Sequence, residues 1–183
     1  MLKRLGLPFT AIAPHVDESP LPNEHPADLA IRLSRAKAAA VAKQHPGALV
    51  IGSDQVASFD GQCLGKPGTH AAAVDQLRRL SGRSVEFNSA LCLTDGVTEV
   101  SDNVVTVCRF RPLDNAEIEH YLEREKPYDT AGSAKAEGLG IALMDAMHSD
   151  DPTAIIGLPL IALSRMLRTF GINPLLPMGG ITA

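Results

Sequence analysis

The chain has 183 residues, a formal net charge of −4 and an apolar share of 45%, with no Trp and few aromatics. That length fits one domain or a compact two-lobed unit, and the composition excludes disorder. The acidic balance excludes a general nucleic-acid binder, but a lysine cluster with a metal can still invert the field in one cleft.

"MLKRLGL" reads as the last turn of an amphipathic helix, with Gly6 as its stop. "PFTAIAP" is a short strand candidate, and "HVDESPLPNEHP" is a loop rich in Pro and acid. "ADLAIRLSRAKAAAVAKQH" follows as a helix, because Leu29, Leu33, Ala36, Ala40 and Val41 recur at helical spacing and Pro46-Gly47 ends it. "ALVIGSDQVASF" is then a strand whose apolar run suggests burial on both faces. Asp60-Gly61 marks a tight turn, and Thr69 can cap the helix "HAAAVDQLRRLSG".

"SVEFNSALCLTDG" and "VTEVSDNVVTVCRF" form a hairpin around Asp95-Gly96, with Val85, Phe87, Leu91 and Leu93 on one face. "PLDNAEIEHYLERE" carries a capping-box pattern, Asp114 with Glu117. "KPYDTAGSAKAEGLG" is a Gly-rich loop, "IALMDAMHSD" a strand, and "LPLIALSRMLRTFG" a last helix closed by Gly171. The tail "INPLLPMGG" is expected to be loosely held. The order of elements implies an α/β fold, a mixed sheet with flanking helices.

The three cysteines show no Cys-x-x-Cys spacing, and the six histidines no His-x-x-x-His. Reduced thiols in a cytoplasmic protein fit this pattern better than a disulfide frame or a zinc site. No apolar run approaches the ~20 residues of a membrane span, and the start has no signal-peptide core.

Four polar groups stand out. They are Asp17-Glu18 in the acidic loop, Lys37 in an Ala-rich helix, Ser53-Asp54-Gln55 at the expected end of the buried strand, and Lys66 in "LGKPGT". Ligands of open α/β sheets bind at the carboxyl ends of strands, where Asp54 falls if its strand is parallel to a neighbour. Carboxylates can hold Mg2+ or Mn2+, lysines can neutralise phosphate charge, and a carboxylate can activate a water. Each piece alone more often serves as a cap, a turn or a solvated face. No Walker loop is present.

Five separated stretches occur in order: "VDES", "LSRAKA", "IGSDQVASFDGQCLGKPGTHAAAVDQLRRLSGRSVEFNSALCL", "YDTAGSAKAEGLGIAL" and "DPTAIIGLPLIAL". Together they resemble the Maf family of nucleoside triphosphate pyrophosphatases across nearly the whole chain. The resemblance implies a single domain over residues 1–183, two lobes around a central cleft, and a fold related to inosine triphosphate pyrophosphatases. It implies hydrolysis of a nucleoside triphosphate to the monophosphate and pyrophosphate with a divalent cation, Mg2+ or Mn2+, and commonly a homodimer. It assigns Asp54 as catalytic base and metal ligand, Glu18 to the metal or phosphate site, and Lys37 and Lys66 to the phosphates.

Within the family, "SDQ" with "AGSxKxEGxG" resembles the branch acting on 7-methyl-GTP, which makes Gln55 and Glu137 the specificity residues. The dTTP/UTP branch typically has Thr and Gln at those positions. A carboxylate suits guanine, because N1–H and N2–H are donors and N7-methylation adds positive charge. Family members begin with a strand and a "SxSPxxR" loop ahead of the first helix. This sequence starts within the helix that follows, so the expectation is a sheet lacking that strand. A non-catalytic nucleotide-binding or regulatory remnant is the reading that this departure supports.

Overall fold

The computed structural model describes residues 1–177. The expectation for the tail therefore falls partly outside the described residues, at 178–180. A 3-10 turn, Leu2–Leu5, opens the chain and stops at Gly6, whose φ of 67° is the left-handed stop that the sequence suggested. Helix α1 follows at Pro26–Ala42, then strands β1, Val50–Phe59, and β2, Gln62–Leu64. Helix α2 spans His70–Leu80, strands β3 and β4 span Ser84–Thr94 and Glu99–Phe110, and helix α3 spans Asn115–Glu125. Strand β5, Met144–Ser149, and helix α4, Leu160–Thr169, complete the described elements.

Local chemistry sets these boundaries. The Thr69 hydroxyl accepts from Ala72 N at the start of α2, and the capping box of Asp114 and Glu117 closes both ways at the start of α3. Asp60 and Gly61 both take positive φ, the geometry that a two-residue hairpin turn requires.

The α/β class stands, with helices flanking one sheet ordered β2-β1-β3-β4-β5. The expected mixed sheet does not: every neighbouring pair among the described strands is antiparallel. The reason is β2, a strand too short to read in the sequence, which reverses the chain at Asp60-Gly61. β2 and β3 therefore run the same way, one on each side of β1, and α2 carries the chain across. "PFTAIAP" is not a strand either, because residues 7–21 make no ladder and have no regular structure.

Three layers result. One sheet face packs on α1 through Leu29, Ala30, Leu33, Val56 and Ala90. The other face is buried at one end by α2 and α3, over Ala57, Phe59, Val85, Phe87 and Phe110. At its other end Leu91 and Leu93 meet α4 and the opening turn, through Leu2, Leu5, Leu163 and Leu167. Among the described residues no helix is long and apolar enough to cross a membrane. Cys92 and Cys108 are buried, Cys63 is exposed, and none is in a disulfide.

Candidate functional site

Strand alternation decides which polar side chains can meet. Gly52, Asp54 and Val56 face α1, whereas Ser53 and Gln55 face away. Gly52 lets the helix come close: a Cβ there would stand 2.2 Å from the Ser34 carbonyl oxygen and 2.6 Å from Ala38 N. Lys37 lies between those two residues, so this close approach brings it to Asp54. Asp54 is the fifth residue of a ten-residue strand, not its end. The ladder to β3 runs on as far as Ser58, and β2 holds Ala57–Phe59.

Lys37 Nζ donates to Asp54 Oδ1 at 2.6 Å and stands 2.6 Å from Glu18 Oε1. Asp54 and Lys37 are largely shielded, while Glu18 is open to solvent. Burial pulls the Lys37 ammonium down, but its hydrogen bonds to the two carboxylates outweigh that and hold it above its ordinary value. The Lys37 hydrogen bond likewise holds the Glu18 carboxyl below the usual range, with smaller help from the charges of Lys37 and Lys66. Lys66, in the loop after β2, is exposed. The structure thus gathers Glu18, Lys37 and Asp54, with Lys66 close enough to act on Glu18.

Glu18 sits in residues 7–21, yet the segment is tied down beside it. Asp17 Oδ1 accepts from Ser19 N, and the Ser19 carbonyl accepts from Arg32 Nη2 at 3.0 Å. Arg32 also grips Glu24 through two bonds, Nε to Oε1 at 2.7 Å and Nη2 to Oε2 at 2.9 Å. This fork, with a bond from Leu21 N, lowers the Glu24 carboxyl from 4.5 to about 2. A depressed carboxyl stabilises the fold above its unfolded value, and that contribution fades as pH falls through the folded one. The clamp on residues 17–24 is therefore expected to hold above pH 4.5 and to open progressively toward pH 2. Carboxyl titration by NMR checks this, and a Glu24 midpoint near 4.5 would remove the clamp.

Gln55 faces away from that cluster, and among the described residues no hydrogen bond or ion pair joins Glu137 to it. The Gln55 amide donates to Ser89 Oγ at 2.9 Å and to the carbonyls of Ala154 and Ile155 at 3.0 and 3.1 Å. Glu137 is exposed in the loop between α3 and β5, and its charge helps to raise the Tyr121 hydroxyl, which burial pushes up to about 12.

Sequence reasoning missed two residues that shape this side. Ser89 is fully buried and donates to the Ala154 carbonyl at 2.7 Å. Asp151, 2% exposed, accepts from Thr153 N and Oγ1 through one oxygen. Its other oxygen accepts from Ile161 N and Ala162 N at the start of α4. Pro159, at the N-cap, has no side-chain acceptor for the free N–H groups, so a carboxylate from outside the helix caps it. The visible signal was "DPT", an Asp two residues before a Thr and shortly ahead of an apolar helix.

Glu18 and Asp54 converge on one cation, Lys37 Nζ. Among the described residues no three His, Cys, Asp or Glu side chains form a metal-holding group. Mg2+ usually keeps waters and takes one or two carboxylates together with substrate phosphates. The donor set therefore fits a divalent cation that arrives with a polyphosphate, and does not fit a cage built by the protein alone.

Comparison with known proteins gives one consistent result. Residues 1–170 match the family described as Maf-like protein. The 7-methyl-GTP pyrophosphatase of Bordetella pertussis is 67% identical over 175 residues, covering 96% of this chain and 88% of the relative. That of Bordetella avium is 66% identical over 175 residues, covering 96% and 89%. That of Burkholderia pseudomallei is 59% identical over 177 residues, covering 93% and 82%. With the family matched from the opening turn through α4, and relatives this similar over more than four fifths of their own length, the chain belongs to the Maf family.

Proposed function

We propose that this chain is a nucleoside triphosphate pyrophosphatase that hydrolyses 7-methyl-GTP to 7-methyl-GMP and pyrophosphate with Mg2+ or Mn2+. The observation that carries the reading is the Glu18–Lys37–Asp54 cluster, whose Glu18 also feels the charge of Lys66. It is an anion-binding and water-activating set in a chain whose relatives bear that name. Glu18 and Asp54 would hold the divalent cation together with phosphate oxygens, and it would supply charge neutralisation for the leaving group.

In the free protein Lys37 is shared between two carboxylates. A triphosphate offers competing oxygens, and Lys37 turns to them with Lys66. Asp54, no longer hydrogen-bonded to Lys37, takes a proton from the attacking water. That water bonds to the α-phosphorus as the bond to the bridging oxygen breaks, and pyrophosphate leaves. Glu137, exposed in its loop, accepts from the guanine donors and favours the methylated, cationic base. Gln55 supports that side through its hold on Ala154 and Ile155. The whole chain acts as one Maf-like domain, and its unpaired thiols suit the cytoplasm.

A panel of triphosphates, assayed for pyrophosphate release, tests the activity. The expected ranking places 7-methyl-GTP ahead of dTTP and UTP. Glu137→Gln is the cleaner specificity variant, because Glu137 is exposed. Adding Gln55→Thr also loosens the turn at Ala154, so melting temperature is read alongside. Both together are expected to lower use of 7-methyl-GTP relative to dTTP or UTP. An unchanged ranking would sink the base assignment and leave the hydrolysis intact.

Lys66→Ala is expected to weaken triphosphate binding more than monophosphate binding, since its partner is phosphate charge. Equal losses for both nucleotides would make Lys66 a turn residue only.

A further inference from the structure

One polar side chain of α2 links the loop that carries Lys66 to the loop that carries Glu137. The Gly65 carbonyl, next to Lys66, accepts from Gln76 Nε2 at 3.1 Å. The Ser133 hydroxyl donates to Gln76 Oε1 at 2.5 Å. A carbonyl only accepts, so the Gly65 contact fixes which end of the amide faces it and leaves Oε1 for Ser133.

Ser133 is a firm anchor. It is fully buried and takes φ 53°, a left-handed conformation that a side chain adopts at a cost and only where its surroundings impose it. Its neighbour Gly132, also left-handed, lies against Phe87, where a Cβ would stand 3.4 Å from the ring. Two further bonds hold the chain on either side of Glu137. Lys135 N donates to the Tyr121 hydroxyl at 3.1 Å, and Leu139 N to Glu125 Oε1 at 3.0 Å. The Lys66 loop has no regular structure of its own, and its other tie is Gly68 N to the Tyr128 carbonyl at 2.9 Å.

We propose that Gln76 is a positioning residue that ties the Lys66 loop to the 133–139 loop. It thereby fixes the phosphate-binding half of the site relative to the base-binding half. This rests on the proposed function, in which Lys66 binds phosphate. Gln76 touches no substrate. It keeps the Gly65 peptide in place, so that Lys66 does not lose chain freedom each time an anion binds.

Pyrophosphate is the probe, and calorimetry at fixed Mg2+ measures its binding to four proteins: the parent, Gln76→Met, Lys66→Ala and the double variant. Met keeps the length of Gln and adds no charge. Gln76→Met is expected to weaken binding about 3–10-fold, the worth of one such hydrogen bond. In the Lys66→Ala background the same change is expected to do nothing, because the path through Lys66 is gone. Parent-like binding by Gln76→Met, or losses that multiply in the double variant, overturns the inference. A merely structural glutamine would lower the melting temperature and give multiplying losses. If Gln76→Met does not fold, Ser133→Ala cuts only the far link and is read by the same cycle. A parent that binds pyrophosphate but leaves 7-methyl-GTP intact overturns the activity, and the cycle still reads Gln76. A parent that binds no pyrophosphate overturns both.

Discussion

Asp54→Asn is expected to cut turnover of 7-methyl-GTP by about 10²–10⁴, the usual contribution of a positioned general base. The substitution keeps the shape of the side chain and one oxygen for Lys37, but it removes the charge that accepts the proton. Lys37 stays paired through Glu18, so no uncompensated charge is left in the half-buried cluster. The fold is therefore expected to survive, with a loss of roughly 1–3 kcal/mol for the weakened hydrogen bond. Nucleotide binding is expected to persist, because the lysines remain. Pyrophosphate release and the melting temperature are measured on the same preparation. Activity near that of the parent would remove Asp54 from the mechanism. A collapsed melting temperature would show that its main work is structural.

Gly52→Ala is expected to be as damaging, although Gly52 carries no functional group. The added methyl would meet the backbone of α1 at Ser34 and Ala38, atoms that cannot turn aside as the end of a flexible side chain can. The helix must move as a body. Overpacking of this kind costs about 1–3 kcal/mol and occasionally more, and a clash with main chain belongs at the upper end. For a chain of this length about 3 kcal/mol lowers the melting temperature by roughly 6–12 °C. The same shift carries Lys37 away from Asp54, and a misplacement near 1 Å can cost about 10²-fold in rate. Thermal melts and hydrolysis assays are read together. Parent-like activity would show that α1 can retreat without spoiling the cluster, and would separate the close approach at Gly52 from function.

The sequence alone determined the parts that local chemistry controls. Helical spacing, Thr69, the Asp114–Glu117 box and the stops at Gly6 and Gly171 placed helices and caps, because caps and turns are settled within a few residues. Five ordered motifs were enough for the family. They also supplied Glu18, Lys37, Asp54 and Lys66 as residues to examine. The tertiary structure decided the rest. β2 has three residues, too few for a periodic signal, yet it reverses the chain and turns an expected mixed sheet into an antiparallel one. Asp54 and Gln55 are adjacent in sequence, and the pleat sends them to opposite faces. Lys37 and Asp54 are far apart in sequence, and Gly52 lets them meet. Pairing across a sheet, and the depth to which a helix settles on it, are non-local. They depend on which side chains are absent, such as a Cβ at Gly52, as much as on those that are present.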